Sequence, residues 1–182
     1  FNYNITYNEN KITRMPDDQP TGVIEGGTNN RVQLHRQGET PFSFFVYQQV
    51  YDAQGNPVEN AFVDRNGNGK IDEGDRYLYK SPFAPITMGF GTDLNYKNWD
   101  LNITTRANIG NYAYNNTQSR LDQFGEITAN SGFLRNIKAN SNFQRHNDQA
   151  WLSDYYIENA SFFKLDNITL GYPFPHPDKM YV

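Results

Sequence analysis

The sequence predicts an all-β fold, namely a fragment of a large antiparallel transmembrane β-barrel with long extracellular loops. Three observations lead to this prediction. Two consecutive segments of about a dozen residues alternate between apolar and polar side chains, long polar stretches connect the candidate strands, and 15% of the 182 residues are aromatic. No apolar run approaches the roughly 18 residues of a membrane-spanning helix, so any crossing would use strands.

The clearest strand signal runs from Ile86 to Ile109 and is interrupted at Lys97-Asn98. Apolar side chains fall on one face of both segments, and Asp, Asn, Arg, Thr and Gly fall on the other, which is the period of a β-strand. A two-residue turn at Lys97-Asn98 would fix the register of a hairpin, and Asn98 is expected to adopt its positive φ. The expected pairs are Tyr96 with Trp99, Leu94 with Leu101, Phe90 with Thr105 and Ile86 with Ile109.

The length of these two strands favours a membrane barrel over a soluble sheet. Ordinary strands have about 5–6 residues, whereas strands that cross a membrane at a tilt need about 9–11. In such barrels the apolar face meets lipid and the polar face meets an aqueous lumen. Tyr96 and Trp99, beside the turn, are placed as interfacial aromatic residues are.

The remaining elements are predicted more briefly, and the last of them contains a break in its alternation. The segment 162–173 places Lys164 and Asp166 on the face that later carries apolar residues, which predicts a bulge or a change of environment near Asp166. Together with the hairpin, the candidates amount to about six strands and one short helix, capped by Asn116 or Thr117. They are the strands 1–7, 31–37, 42–51, 86–96, 99–109 and 162–173, and the helix 116–124.

Two long connections, residues 52–85 and 111–160, separate these strands. Connections of this length count against a compact soluble domain. Barrels of the outer-membrane type have short periplasmic turns and long extracellular loops. Both connections are therefore predicted to be extracellular loops, and the turn at Lys97-Asn98 is predicted to be periplasmic.

The segment from Asp64 to Asp75 has the spacing of a calcium-binding loop. Such a loop carries oxygen ligands at positions 1, 3 and 5, glycine at 6, a backbone carbonyl at 7 and acids at 9 and 12. Gly69 would form the sharp turn, and Ile71 would point inward. The alternative is an Asn/Gly-rich turn that binds nothing. The predicted ligands of a structural Ca²⁺ ion are Asp64, Asn66, Asn68, the carbonyl of Lys70, Asp72 and Asp75.

Several functional classes find little support in the sequence. The absence of cysteine excludes disulfides and thiolate metal sites. The net charge of −4 and the scattered basic residues argue against nucleic-acid binding. The three histidines, His35, His146 and His176, lie far apart in polar surroundings, which predicts surface or lumen positions and no catalytic constellation. The chain is therefore predicted not to be an enzyme; a glycoside hydrolase would need a pair of acids that nothing here selects.

Substrate contacts are expected from two sets of residues. Asp93, Asn102 and Arg106 fall on the polar, lumen-facing side of the hairpin, and Trp151 and Tyr155 fall in the large loop. Loop aromatic side chains could stack on sugar rings, with the many asparagines supplying hydrogen bonds to hydroxyl groups. The alternative for these aromatic residues is that they pack the loops against each other.

Several stretches of the sequence resemble one family. Residues 159–175, with the run Asn-Ala-Ser-Phe-Phe-Lys-Leu-Asp-Asn-Ile-Thr-Leu-Gly-Tyr, resemble the signature strand near the end of the barrel of SusC/RagA-like TonB-dependent outer-membrane transporters of Bacteroidetes. The loop 64–75 and the following residues 81–101 are similar to the preceding stretch of that family, in the same order. Residues 8–13 and 38–41 are similar to earlier pieces.

The resemblance implies a fold and a function. The family has a 22-stranded barrel with an N-terminal plug, and a SusD-like lipoprotein covers it as a lid. Glycans, or peptides in some members, enter through the barrel when TonB acts on the plug. Residues 1–182 would then be a C-terminal part of the barrel in the cell outer membrane, without the plug and the final strands. About six strands cannot close a barrel, so these residues would be part of a larger chain.

A different class of protein remains as the alternative, a soluble, secreted β-sandwich module that binds carbohydrate and calcium. The apolar face that includes Met88, Phe90, Leu94, Leu101 and Ile103 separates the two predictions. In a sandwich a second sheet covers this face, whereas in a barrel it meets lipid.

Overall fold

A computed structural model describes residues 1–24, 30–128, 132–141 and 143–173. The strands are β1 (Asn2–Tyr7), β2 (Gln19–Val23), β3 (Arg31–His35), β4 (Ser43–Val46), β5 (Gln49–Tyr51), β6 (Pro57–Phe62), β7 (Tyr77–Leu78), β8 (Ile86–Tyr96), β9 (Trp99–Ile109), β10 (Tyr112–Tyr114), β11 (Ile157–Asn159) and β12 (Phe162–Gly171). The helix α1 spans Asn116–Leu121, and short 3₁₀ turns span Glu73–Asp75, Phe124–Thr128, Ala150–Leu152 and Asp154–Tyr156. The named strands pair antiparallel, which confirms the predicted all-β class.

The chain divides into two compact units. The first, here called the long-strand unit, comprises residues 1–8, 84–110 and 161–182, and is described as far as residue 173. The second, the loop unit, comprises residues 9–83 and 111–160. No helix among the described residues is long and apolar enough to span a membrane.

The long-strand unit is one sheet with the strand order β1-β8-β9-β12. The predicted hairpin is confirmed, because β8 and β9 have eleven residues each and pair along their whole length. All four expected pairs are present: Tyr96 with Trp99, Leu94 with Leu101, Phe90 with Thr105 and Ile86 with Ile109. The alternation alone fixed this register, since a slip of one residue would exchange the two faces.

The turn of the hairpin differs from the prediction in one respect. Lys97 adopts the positive φ, at 53°, and Asn98 does not. A two-residue turn with positive φ at its first central position alone follows the type II′ pattern, whereas the prediction assumed that the second residue would carry it. The turn therefore gives a lysine a positive φ, which is uncommon for residues other than glycine and asparagine.

Strand β12 contains the predicted bulge. Its register against β9 shifts between Leu165 and Asn167, so Asp166 is the extra residue. Before the bulge, Phe163 and Leu165 pair with residues of the apolar face of β9; after it, Ile168 and Leu170 do so. Leu165 and Ile168 are three residues apart, a spacing that would place them on opposite faces of a regular strand. The bulge keeps them on the same face.

The apolar face of the long sheet is exposed. Phe90, Leu94, Ile168 and Phe163 have exposed fractions of 39%, 42%, 59% and 74%. Among the residues that the structure describes, two clusters of buried apolar side chains are found, and both lie in the loop unit, with no member in the long sheet. No second sheet therefore covers this face among the described residues, which counts against the sandwich alternative.

The loop unit has a conventional buried core. It contains a four-stranded sheet, β2-β3-β4-β7, and the hairpins β5-β6 and β10-β11. Val32, Phe44, Val46 and Ile157 form its main cluster. The segments predicted as strands at 31–37 and 42–51 belong to this unit, so the long sheet has four described strands.

Apart from residues 84 and 85, the two segments predicted as loops belong to the loop unit, and their described residues include β6, β7, β10, β11 and α1. Helix α1 begins where the sequence placed a helix. The capping residue is Asn115, one position before the predicted Asn116. Its side-chain oxygen accepts a hydrogen bond from the backbone N–H of Gln118 at 2.9 Å, which satisfies a donor at the start of the helix.

Candidate functional site

The polar face of the long sheet brings two of the predicted substrate residues together. Asp93 and Asn102 are direct cross-strand partners on β8 and β9. The Asn102 amide donates to the Asp93 carboxylate at 2.5 Å and accepts from the Asn167 amide at 2.9 Å. Because each amide both donates and accepts, the row forms a connected polar ladder across three strands, from which a hydroxylated or amide-bearing ligand could receive hydrogen bonds.

Arg106 lies on the same face, beside the bulge. Its Nε atom is 3.3 Å from a carboxylate oxygen of Asp166, and the same oxygen is 3.7 Å from Nζ of Lys164. The Arg106 side chain is 55% exposed, and exposed ion pairs of this kind are weak. Arg106 can therefore exchange this partner for a ligand at little cost.

Two glycines of β8 make room for polar side chains on this face. A Cβ at Gly89 would lie 2.8 Å from the Asn4 side-chain oxygen, and one at Gly91 would collide with the Asn2 side chain. Asn2 and Asn4 are the cross-strand partners of these glycines on β1. The glycines thus allow asparagine side chains to lie flat across the strand.

Trp151 and Tyr155 belong to the loop unit and take part in its packing. Trp151 packs against the main apolar cluster, and its carbonyl accepts a 2.6 Å hydrogen bond from the Tyr114 hydroxyl. The ring of Tyr155 contacts those of Phe143 and Tyr156 edge to face. Both side chains are half-buried. Their contacts match the packing alternative, and a contact with substrate stays a prediction for them, as it does for Asp93, Asn102 and Arg106.

The expectation of a surface or lumen position is wrong for His146. Its ring lies among Phe143, Trp151 and Tyr156, and its Nε2 atom is 2.6 Å from the Tyr156 hydroxyl. Burial lowers the pKa of His146 to about 4, so the ring is neutral at pH 7, and Nε2 shares a hydrogen bond with the Tyr156 hydroxyl. Nδ1 has no hydrogen-bond partner within the described ranges. The polar sequence neighbours of His146 gave no signal of this burial.

The calcium-type loop is closed by its own hydrogen bonds. The Asp64 carboxylate accepts from the backbone N–H groups of Gly67 and Gly69 at 2.7 and 2.8 Å. Gly69 has a φ of +77°, as the predicted sharp turn requires, and Ile71 packs against the second apolar cluster. The Asn68 amide donates to Asp72 at 2.8 Å.

Asp75 holds the two ends of this loop together. It is fully buried, and its carboxylate accepts from the backbone N–H groups of Arg65, Asn66 and Asp72 at 2.8, 3.1 and 2.9 Å. These bonds, that of Asp72 first, hold the pKa of Asp75 below its usual value. The carboxylate therefore stays charged and fixes the loop.

The donor atoms of the loop fit calcium in kind, because Ca²⁺ prefers carboxylate and carbonyl oxygens. A carboxylate oxygen has more than one lone pair, so a bond to a backbone N–H does not by itself prevent coordination. In the part of the chain that is described, however, no three His, Asp or Glu side chains are grouped so that they could hold a metal ion. Calcium binding by Asp64, Asn66, Asn68, Lys70, Asp72 and Asp75 stays a prediction.

Three arginines that lie far apart along the chain meet at one cavity of the loop unit, and no sequence pattern predicted this. Arg31, Arg36 and Arg76 come from β3, the segment after it and the segment before β7. The cavity has a volume of about 670 Å³ and is also lined by Asp18 and Glu73. The pairing of β3 with β4 and of β4 with β7 brings these positions together.

The architecture and the polar face define the chain as part of an antiparallel barrel-type protein with structured loops. No known protein-family profile matches it. It is 42% identical to the TonB-dependent receptor SusC of Bacteroides thetaiotaomicron over 96% of the chain and 18% of that receptor. It is 28% identical to the TonB-dependent receptor P3 of Formosa agariphila over 95% of the chain and 19% of that receptor.

A solved structure supports the same assignment at the level of the fold. The RagAB peptide transporter matches with a TM-score of 0.61 over 93% of this chain and 20% of that one, at 19% identity. The chain thus spans about a fifth of the length of these proteins. It belongs to the SusC/RagA-like TonB-dependent receptors and corresponds to one segment of such a receptor.

Proposed function

We propose that the chain forms barrel strands and extracellular loops of an outer-membrane transporter that imports glycans or oligopeptides. The observation that carries this proposal is the 42% identity to SusC, which extends over 96% of the chain and so includes both units. The long amphipathic strands supply a physical reason for a membrane location. Eleven residues at about 3.3 Å each extend about 36 Å, and a tilt of about 45° reduces this to the height of an apolar band of about 25 Å.

In this proposal the chain performs no bond chemistry. The polar ladder of Asp93, Asn102 and Asn167 offers hydrogen bonds to a substrate in the lumen, and Arg106 adds a positive charge. Such contacts are individually weak and exchangeable, which suits a path that a substrate must leave as well as enter. The loop unit would form part of the extracellular entrance.

The proposed partners follow from the family. A SusD-like lipoprotein would cover the entrance, and TonB would act through an N-terminal plug elsewhere in the full-length protein. The match to a protein described as a peptide transporter keeps oligopeptides beside glycans as cargo.

The test is uptake in cells that produce the full-length receptor. Deletion of the receptor gene should abolish growth on one defined glycan or peptide source, and a plasmid copy should restore it only when TonB is present. The receptor should fractionate with the outer membrane and co-purify with a lipoprotein. Growth unaffected by deletion on every such source, or a soluble secreted receptor, would contradict the proposal.

A second comparison tests the lumen residues. Arg106→Ala should reduce the uptake rate several-fold, because a charged hydrogen-bond donor to the substrate is lost, while Lys164→Ala serves as a matched loss of a neighbouring cation. Unaltered uptake in the Arg106 variant would remove this residue from the substrate path.

A further inference from the structure

We propose that the cavity lined by Arg31, Arg36 and Arg76 binds a carboxylate group of the imported substrate. This inference rests on the proposed function, and it assigns a chemical class to the cargo. The cavity lies entirely within the loop unit, so it depends on no arrangement of the two units.

The first supporting observation is that one aromatic ring organises two of the guanidinium groups. The Arg76 and Arg36 guanidinium carbons lie 4.4 and 5.5 Å from the centroid of the Phe45 ring. Arg76 is further fixed because it donates to the backbone carbonyls of Phe45 and Arg31, at 2.6 and 2.8 Å. The side chain of Arg76 is 10% exposed. The cavity therefore has a preorganised positive wall, which reduces the cost of ordering side chains when a ligand binds.

The second observation is the number of donors that remain available. A guanidinium group has five N–H donors. Arg31 uses one of them, to the Pro20 carbonyl at 2.9 Å, and has no other side-chain partner among the described residues. Arg36 directs Nε and Nη2 to the same oxygen of Asp18, at 2.9 and 2.6 Å, which leaves Nη1 without a described partner. Both groups can present parallel N–H donors to an acceptor in the cavity.

The third observation is the charge of the lining. Three arginines face two carboxylates, those of Asp18 and Glu73, so one positive charge is in excess. Glu73 compensates Arg76 weakly, since it lies 3.5 Å away and its side chain is 82% exposed. A single negative charge balances this lining, whereas a phosphate dianion would leave one negative charge uncompensated. The planar fork of arginine matches a planar carboxylate, and such paired hydrogen bonds are among the strongest in proteins.

The carboxylate could belong to a uronic acid residue of a glycan or to the C-terminus of a peptide, and the probes distinguish the two. The purified full-length receptor is titrated calorimetrically with trigalacturonate and its fully methyl-esterified form, and with N-acetyl-trialanine and N-acetyl-trialanine amide, so that the second member of each pair is neutral. We expect one acid to bind at least tenfold more tightly than its neutral form, because charged hydrogen bonds contribute about 1.5–3 kcal/mol and about 1.4 kcal/mol corresponds to tenfold.

Two variants and one control locate the effect. Arg31→Ala with Arg36→Ala should lower the affinity for the acid at least tenfold and leave that for the neutral form unchanged. Arg31→Gln alone should give a smaller loss in the same direction; its side chain is exposed and outside the core, so folding is preserved. Arg14→Ala removes an exposed arginine of the same unit that does not line the cavity, and should change neither affinity.

Equal affinity for acid and neutral forms in both pairs overturns the proposal, as does an unchanged acid affinity in the double variant. If neither acid binds while the receptor still imports its growth substrate, the carboxylate site is wrong and the transport function stands. The separate uptake assay tests the transport function itself. That function is contradicted if TonB-dependent growth fails on every source.

Discussion

Asp75 shows how a single buried carboxylate can hold a long loop. Its three backbone hydrogen bonds join residues 65, 66 and 72. Asp75→Ala leaves these three donors without an acceptor, so hydrogen exchange of the amides in 64–75 should accelerate at least tenfold. Mass spectrometry of the peptides covering the loop measures this.

The matched control for this prediction is Asp148→Ala, which removes an exposed carboxylate with no described hydrogen bond. It should leave exchange in the loop unchanged. If the Asp75 variant exchanged like the parent protein, the loop would be held by its glycine turns and side-chain amides instead.

The lowered pKa of His146 predicts that the stability of the loop unit depends on pH. Its pKa is about 4 in the folded state and about 6.5 in an unfolded chain, so acid favours the unfolded form, which binds a proton first. The stabilisation is complete above about pH 6.5 and is lost as the pH falls toward 4. Because the ring is partly exposed, we expect a loss of about 2 kcal/mol, less than the full shift implies.

The measurement is hydrogen exchange of residues 143–157 between pH 7.5 and pH 4, corrected for intrinsic exchange rates. His146→Gln retains an acceptor for the Tyr156 hydroxyl and does not titrate, so its protection should vary less with pH. A variant that lost protection in acid as the parent does would show that another group is responsible.

At the scale of elements, the bulge in β12 allows a prediction from deletions. Removing Asp166 turns the strand into a regular alternation, with Phe163, Leu165, Ile168 and Leu170 still on the apolar face. The receptor should therefore fold in the outer membrane and lose only the ion pairs of Asp166 with Arg106 and Lys164. Heat-modifiable migration on electrophoresis gels reports the folded barrel.

The matched control deletes Thr104 from β9, which has no bulge against β8 to absorb the change. Every later residue of β9 then moves to the opposite face, and folded receptor should fall to a small fraction. Equal behaviour of the two deletions would contradict the claim that parity of the apolar face is what the bulge preserves.

A further prediction at this scale is that the loop 64–75 binds calcium. If calcium binds, millimolar Ca²⁺ should further slow hydrogen exchange in this loop, since extracellular calcium sites have dissociation constants of about 10⁻⁴–10⁻³ M. Asp64→Ala should abolish the effect, and Asp52→Ala, in a neighbouring turn closed by an aspartate, should not. Exchange insensitive to calcium would make the segment a turn that holds itself by hydrogen bonds.

At the scale of the whole molecule, the two units have opposite distributions of apolar residues. The loop unit buries its apolar side chains, whereas the long sheet exposes them. Phe90→Arg, near the middle of β8, should destabilise the membrane-inserted receptor by about 2–4 kcal/mol. Denaturant unfolding in lipid vesicles provides the measurement.

Thr104→Arg is the matched control, because Thr104 lies at nearly the same level on the polar face, opposite Gly91. An arginine there should be tolerated within about 1 kcal/mol, since it meets water rather than lipid. If both substitutions destabilised the receptor equally, the assignment of the two faces to lipid and lumen would be wrong.

The sequence by itself determined the central hairpin of the long sheet and the break in β12. The strict alternation in β8 and β9 specified length, faces and register, and the break in parity near Asp166 specified the bulge. These features follow from the two-residue period of a strand, which is a local property of the chain. The geometry of the turn was not predicted correctly. The preference of asparagine for positive φ had assigned that conformation to Asn98, whereas Lys97 adopts it.

Only the tertiary structure decided the character of the loop unit. The burial of His146 and the meeting of Arg31, Arg36 and Arg76 depend on which distant segments pack together. The sequence periodicity of a short polar segment does not indicate which distant segment it packs against. The free energy of this packing comes from apolar contacts such as those among Val32, Phe44 and Ile157, which are far apart along the chain. Local periodicity therefore determined the long strands, and long-range burial determined the surroundings of His146 and of the three arginines.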